Sequence, residues 1–149
     1  EFSQSERHLF FQVGDRVLFS RMLDSQFPKY ERIIPRDNTN IAVVDRAALM
    51  AAIKRVGLVS GQNQSAAFSF TSNSVTVSSQ SVEVGDADES LLCEYQGSEL
   101  QVTMNYSYVL DFLQAAQEQS VSIALKNEMS AVLFSDGSDF INVVMVMRR

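Results

Sequence analysis

The sequence Ile141-Asn-Val-Val-Met-Val-Met-Arg-Arg149 places five apolar residues, Val143 to Met147, directly before two arginines. An unbroken apolar run of this kind predicts a strand buried on both faces, in the middle of a sheet. Because methionine side chains are flexible, Met145 and Met147 beside rigid valines would also suit an adaptable groove for a peptide. The alternative is a closing core strand without a binding role, since methionine is common in cores.

The composition restricts the function classes that remain. The 149 residues fit one domain of ordinary size with part of a second, and 46% apolar with 20% charged residues is typical of a globular chain. A net charge of −6 argues against a general nucleic-acid binder, although a local basic face is compatible with it. The one cysteine, Cys93, excludes an internal disulfide, is typical of a reducing compartment and is expected to be a buried small hydrophobe.

Turn signals divide the first part of the chain. Strands at residues 8–13 and 16–23, joined by Gly14-Asp15, predict a hairpin, and the polar residues 1–6 are expected to fray. Pro28 and Pro35 bracket a segment that we expect to be extended, because a residue before proline avoids the helical region.

Two helices are predicted, each after a capping residue. Asp45 precedes a helix at residues 46–59 that Gly61 ends, and Asn105 precedes a helix at residues 106–119. Apolar residues at helical spacing give each helix one buried stripe: Leu49, Ala52, Ile53 and Val56 in the first, and Val109, Phe112, Leu113 and Ala116 in the second.

The order of the predicted elements indicates the fold class. Strands are predicted at residues 38–44, 66–70, 74–78, 91–95, 100–104, 121–125, 131–134 and 141–147, with an acidic loop at 84–90. A strand, a helix and three strands therefore occur twice, with a period of about 60 residues. This repeat predicts an α+β domain in which two helices pack under two antiparallel sheets with an internal pseudo-twofold. The hairpin lies outside the repeat, so we expect residues 1–27 to end one domain and residues 28–149 to form the next.

Three stretches of the chain resemble the bacterial DNA polymerase III beta subunit, or sliding clamp, family. The most specific is Val13-Gly-Asp-Arg-Val-Leu-Phe-Ser-Arg-Met-Leu-Asp-Ser-Gln-Phe-Pro-Lys-Tyr-Glu-Arg-Ile-Ile-Pro35. The others are Met104-Asn-Tyr-Ser-Tyr-Val-Leu-Asp-Phe-Leu113 and Val143-Val-Met-Val-Met-Arg148. The family usually ends in Val-Met-Pro-Met-Arg-Leu, so Val146 and Arg149 depart from its pattern.

The resemblance implies a DNA-clamp domain. Family chains have three similar domains and close head to tail into a ring-shaped homodimer, with helices lining the central hole. This chain would correspond to the third domain, preceded by the last hairpin of the second. The implied function is non-catalytic: a cytoplasmic, nucleoid-associated processivity factor that tethers DNA polymerase to duplex DNA through encirclement and non-specific phosphate contacts, without cofactor or metal. Implied partners are the DNA polymerase III alpha subunit, the clamp loader, other DNA polymerases and repair proteins.

In the family, partner peptides enter a hydrophobic groove between the second and third domains. The residues that carry over to the third-domain side are Pro28, Arg32, Ile33, Asn105, Tyr108, Ala131, Val143, Val144, Met145, Val146, Met147 and Arg148. A concave apolar pocket with a few polar groups suits an anchored peptide. The alternative is that these are ordinary packing residues, and the departures at Val146 and Arg149 change the tail side of the groove.

The resemblance also implies contacts with DNA and with a neighbouring subunit. The candidate phosphate contacts on the first helix are Arg46, Lys54 and Arg55, with a solvated helix face as the alternative. The second helix carries Asp111 and Glu118 and no lysine or arginine, which argues against strong DNA contact from that half. Leu58 and Val59 align with the ring interface, and the alternative is a helix end packed on its own sheet.

Two other function classes are open from the residues alone: an enzyme with an unrecognised site, and a stand-alone peptide-binding module outside replication. No phosphate loop or nucleophile motif supports an enzyme, and His8 lies in the hairpin. The acidic residues Glu83, Asp86, Asp88 and Glu89 lack the spacing of a calcium loop, so a solvated turn is expected.

Without its own domain the hairpin at 8–23 is expected to be disordered or to pair with a neighbouring molecule.

Overall fold

A computed structural model of the chain describes residues 1–61, 63–137 and 139–148. The departure at Arg149 therefore lies outside the described residues. The chain divides into two compact units, Glu1–Tyr30 and Glu31–Arg149. The sequence places the boundary between residues 27 and 28, and the assignment of the first unit to a preceding domain stays a prediction.

The first unit is a three-stranded antiparallel sheet of β1 (Phe2–Gln4), β2 (His8–Val13) and β3 (Arg16–Arg21). The predicted hairpin is present, with Gly14 in its turn at a φ of 58°. The expectation of frayed residues 1–6 is wrong for β1, because Phe2 pairs with Phe11 across the sheet and their ring centroids are 5.3 Å apart. The hairpin is ordered and takes its third strand from its own chain, contrary to the expected disorder, and its pairing with a neighbouring molecule stays a prediction.

The second unit contains the two helices and the remaining strands. A short 3-10 helix, Tyr30–Arg32, spans the boundary between the units. The elements that follow are β4 (Asn40–Asp45), α1 (Arg46–Gly57), β5 (Ser65–Thr71), β6 (Ser74–Ser81), β7 (Gly85–Gln96), β8 (Leu100–Asn105), α2 (Tyr106–Ala115), β9 (Ser120–Leu125), β10 (Val132–Asp136) and β11 (Phe140–Val144). The order of strand, helix and three strands occurs twice, as predicted.

The strands after the 3-10 helix lie in the order β11-β10-β9-β4-β7-β6-β5-β8, and every neighbouring pair is antiparallel. The long strand β7 joins the two halves: its first part pairs with β6, and its last residues, from Cys93, pair with β4. Two four-stranded sheets therefore continue into each other, with the stripes of α1 and α2 buried in one core. The α+β fold class is confirmed.

Both predicted helix stripes lie in this core. Leu49, Ile53 and Leu113 are almost fully buried, beside Phe68 from β5 and Phe134 from β10. Burying each such side chain stabilises the fold by about 1.5–3 kcal/mol. Cys93 is also buried, as expected, and burial raises the pKa of its thiol. None of the described helices is long and apolar enough to cross a lipid bilayer.

Both helices begin at their predicted caps but end earlier than predicted. The Asp45 carboxylate accepts a hydrogen bond from Ala48 N at 2.8 Å. Helix α1 ends at Gly57 rather than near Gly61. The Tyr106 ring packs against Gly57 so closely that a Cβ added to this glycine would lie 3.1 Å from the ring. Helix α2 ends at Ala115 because Asp136 accepts hydrogen bonds from the next turn of the chain, from Gln117 N at 2.7 Å and Glu118 N at 3.1 Å.

The predicted acidic loop at residues 84–90 is wrong, because Gly85 to Ser90 form the first part of β7. Their register with β6 runs from Ser81 opposite Gly85 to Thr76 opposite Ser90. The main-chain pairing with β6 outweighs the low strand propensity of the acidic residues, which tolerate this position because most of their side chains stay exposed. Glu89 is an exception, since it forms an ion pair with Arg55 of α1.

Candidate peptide-binding groove

An open groove of about 710 Å³ lies between helix α2 on one side and strand β11 with the chain's tail on the other. Most of its lining is apolar, with three polar side chains that end in an amide or a carboxylate. The lining residues are Asn105, Tyr108, Asp111, Phe112, Phe140, Ile141, Asn142, Val143, Val144, Met145, Val146 and Met147.

Helix α2 forms one wall. Its N-cap, Asn105, is fixed because its Oδ1 accepts hydrogen bonds from the backbone N–H of Ser107 at 2.9 Å and from its hydroxyl at 2.8 Å. Tyr108, Asp111 and Phe112 follow at spacings that place them on one helix face. Phe112 is only 2% exposed whereas Tyr108 is 58% exposed, so the wall has a buried base and an accessible rim.

Aromatic packing fixes the distance between the two walls. The Phe112 ring stacks on Phe140 of β11 with centroids 5.3 Å apart, and it also contacts Phe134 at 5.6 Å. Asn142 of β11 adds a hydrogen bond from its Nδ2 to the Tyr108 carbonyl at 3.4 Å. The groove is therefore built on rigid packing and is largely pre-formed, as binding sites usually are.

The tail forms the second wall, and here the structure corrects the sequence prediction. Strand β11 ends at Val144 and is an edge strand, rather than a central strand buried through Met147. The tail then moves across to β8, where Val146 bridges Met104 and Met147 N–H donates to Thr103 O at 2.7 Å. Burial alternates as a result: Val144 is 2% exposed, whereas Met145 is 63% exposed.

The structure brings seven of the predicted groove residues together: Asn105, Tyr108 and Val143 to Met147. Arg32 and Ile33 instead line a separate recess formed by residues 31–37. Ala131 is half-buried outside the groove lining, and its carbonyl accepts a hydrogen bond from Asn38 Nδ2 at 3.1 Å. Arg148 lines a neighbouring recess, and Pro28 belongs to the first unit, so the roles of these residues stay predictions.

Five lining residues were not predicted from the sequence, and helical periodicity was an available signal for two of them. Asp111 and Phe112 lie three and four positions after Tyr108, on the same helix face. The others come from β11 and are Phe140, Ile141 and Asn142.

Two of the three predicted DNA-facing cations have partners within the chain. Arg46 donates from Nε to Glu118 O at 2.9 Å and from Nη1 to Leu113 O at 3.1 Å, so it holds the end of α2. Arg55 pairs with Glu89, which lowers the pKa of the Glu89 carboxyl and raises the pKa of the guanidinium. Lys54 is exposed and makes no ion pair with any described residue.

The predicted ring-interface residues follow α1 directly. Leu58 is 80% exposed, so it does not pack on its own sheet, whereas Val59 is half-buried. Their assignment to a subunit interface stays a prediction. Among residues 1–61, 63–137 and 139–148, no group of three or more histidine, cysteine or acidic side chains is placed to hold a metal ion.

Comparison with known proteins gives a consistent result. A family model described as DNA polymerase III beta subunit, C-terminal domain, matches residues 31–148. The chain is 28% identical over 146 residues to the beta sliding clamp of Pseudomonas putida, covering 96% of this chain and 40% of that protein. It is 33% identical over 129 residues to the beta sliding clamp of Synechococcus elongatus, covering 84% of this chain and 34% of that protein. The chain thus spans less than half the length of these curated relatives.

A solved structure supports the same fold. The sliding clamp of Pseudomonas aeruginosa, crystallised bound to griselimycin, superposes with a TM-score of 0.87 at 28% identity. The match covers 99% of this chain and 41% of that one. The topology described above is therefore that of a sliding clamp segment.

Proposed function

This chain belongs to the DNA polymerase III beta subunit family, whose C-terminal domain model matches residues 31–148, and from that premise we propose that it acts in DNA replication. It forms the C-terminal domain of a non-catalytic processivity factor that tethers DNA polymerase to duplex DNA. The whole protein is a ring-shaped homodimer in the cytoplasm, associated with the nucleoid. Leu58 and Val59 lie at the ring interface.

The groove between α2 and the tail is the observation that supports this proposal most directly. It is pre-formed, apolar and accessible at its rim, where Tyr108 is 58% and Met145 is 63% exposed. An exposed apolar groove of this kind marks a site for another molecule rather than a core. It binds short peptide segments of the DNA polymerase III alpha subunit, the clamp loader, other DNA polymerases and repair proteins.

A matched pair of variants tests the groove. The probe is a fluorescein-labelled peptide from the carboxyl end of a bacterial DNA polymerase III alpha subunit, with binding measured by anisotropy. Met145→Glu is expected to weaken binding at least tenfold, because it places an unpaired charge against the apolar anchors of the peptide. Leu92→Glu is the control, since Leu92 is 87% exposed and lies outside the groove. Equal affinities of the two variants would contradict the proposal.

The isolated chain is expected to bind such a peptide more weakly than a full-length clamp does. In the family the second domain supplies the other side of the groove, and fewer walls bury less of the peptide. Calorimetric titration of both proteins with one peptide measures the difference. Equal affinity would contradict the placement of part of the groove in the second domain.

Contact of α1 with DNA is expected to be weak, and among its three predicted DNA-facing cations Lys54 is expected to contribute most. Arg46 and Arg55 already have partners, and phosphate competes with those partners for the same donors. Loading of a full-length sliding clamp that carries this C-terminal domain on nicked circular DNA tests this part of the proposal. Lys54→Ala is expected to reduce the slope of the logarithm of the DNA-binding constant against the logarithm of salt concentration. The reduction should correspond to one phosphate contact at most.

A further inference from the structure

One charged side chain stands out in the groove. Asp111 lies on the helix wall between Tyr108 and Phe112. It is the only acidic or basic side chain among the described lining residues. Its side chain is exposed, and no other described residue forms an ion pair with it. The rest of the lining is apolar apart from two asparagine amides and the Tyr108 hydroxyl.

Two arginines of the predicted sites, Arg46 and Arg148, lie outside the described lining of the groove. Arg148 lies with Met147 in the neighbouring recess, beside the polar side chains of β5 and β6. Arg46 donates hydrogen bonds to the carbonyl of Leu113 in the last turn of α2 and to that of Glu118 just after the helix. Among the described lining residues, the groove therefore presents a single negative charge against an apolar background.

We propose that Asp111 determines which peptides the groove prefers, by selecting a segment that carries a lysine or arginine beside its apolar anchors. This inference rests on the proposed peptide-binding function and adds the charge of the ligand to it. The apolar walls bind the anchors, while Asp111 pairs with the basic side chain and rejects an acidic side chain at the same place. Charge complementarity of this kind contributes more to specificity than to total affinity.

The apolar surroundings make the selection effective. A carboxylate at the rim of an apolar wall loses part of its water when a peptide covers Tyr108 and Phe112. An unpaired charge covered in this way weakens binding, whereas a basic partner offsets the lost hydration. Exposed ion pairs change free energies little, so the expected preference is about two- to fivefold for lysine over alanine.

The test uses three peptides with the same apolar anchors and a lysine, an alanine or a glutamate at each flanking position in turn. Calorimetry with the wild-type chain is expected to give the order lysine, alanine, glutamate at one flank, with about tenfold between lysine and glutamate. Asp111→Asn is expected to remove this order, and Asp111→Lys to reverse it. Asp86→Asn is the control, because Asp86 is exposed on β7 outside the groove. Raising the salt concentration to 1 M should reduce the preference, since screening weakens exposed pairs.

The outcomes separate this inference from the function on which it rests. If all three peptides bind and Asp111→Asn leaves their affinities in the same ratio, the selection by Asp111 is wrong while peptide binding stands. If no peptide binds the wild-type chain at any concentration tested, both are wrong. If binding follows peptide charge equally in wild type and Asp111→Lys, the preference originates elsewhere and the assignment to Asp111 is overturned.

Discussion

Replacing Arg46 with alanine tests whether this residue, predicted to face DNA, has a structural role. The guanidinium bridges the first turn of α1 to the carboxyl end of α2, through hydrogen bonds to Leu113 O at 3.1 Å and Glu118 O at 2.9 Å. The main-chain bond from Arg46 N to Gln119 O, at 2.9 Å, remains in the variant. The substitution therefore removes the two side-chain hydrogen bonds of Arg46 and leaves this main-chain bond in place.

The expected loss of stability follows from these contacts. The part-buried bond to Leu113 O, made by a charged donor, contributes about 1.5 kcal/mol, and the exposed bond to Glu118 O about 0.5 kcal/mol. Removing a positive charge from the first turn of α1 stabilises the variant by about 0.5 kcal/mol, because cations are unfavourable at a helix N-terminus. The net expectation is about 1.5 kcal/mol, or a fall in Tm of roughly 3–6 °C for a chain of this size.

Urea unfolding followed by circular dichroism measures this difference, with Lys54→Ala as the matched control. Lys54 is exposed on the same helix and makes no ion pair with a described residue, so its removal should change stability by less than about 0.5 kcal/mol. A Lys54→Ala loss equal to that of Arg46→Ala would show that the hydrogen bonds of Arg46 add no stability of their own. An Arg46→Ala midpoint identical to that of wild type would refute the structural role of Arg46.

Three further perturbations have defined outcomes. Gly97→Ala should destabilise the fold by about 2–3 kcal/mol in the same urea assay, because an added Cβ would lie 2.4 Å from Oδ1 and 2.7 Å from Cβ of Asn40; an unchanged midpoint would contradict the packing at that turn. Glu89→Gln should destabilise the chain most above pH 4.5, since Arg55 lowers the pKa of this carboxyl and the stabilisation is lost as pH falls through that lowered value; a difference that grows towards acid would contradict the pairing. Val146→Pro should leave stability within about 0.5 kcal/mol of wild type, because the tail bond to Thr103 O is donated by the next residue; a large loss, measured by thermal unfolding, would show that the Val146 N–H has a structural role.

Local signals in the sequence predicted most of the fold. Asp45 and Asn105 cap the two helices because each side chain accepts a hydrogen bond from the first turn, which is a local property of the chain. The apolar stripes likewise identified the buried face of each helix. The doubled order of strands and helices then gave the architecture, since each half must cover the same kind of apolar face.

Tertiary contacts explain where the sequence predictions were wrong. Helix α2 ends early because Asp136, a residue distant in sequence, accepts hydrogen bonds from the chain that follows the helix. The acidic residues before Ser90 form a strand because β6 supplies a pairing edge. An apolar run alone also did not reveal that the tail leaves β11 after Val144 and joins β8 at Val146.

The residues of the groove, like the ends of the elements, could be predicted only in part, because some of them depend on tertiary contacts. The resemblance to the sliding clamp family indicated Tyr108 and Met145, and the structure places both in one lining. Asp111 and Phe140 were not predicted to line the groove. Their place in its lining depends on how α2 packs against β11, which requires the stacked rings of Phe112 and Phe140.

Methionine-methyl NMR of the chain during titration with a polymerase-derived peptide tests the peptide-binding groove most directly. The methyl signals of Met145 and Met147 are expected to shift in proportion to bound peptide, while that of Met50 on α1 does not. Saturable binding with shifts at Met50 and none at Met145 would contradict this expectation.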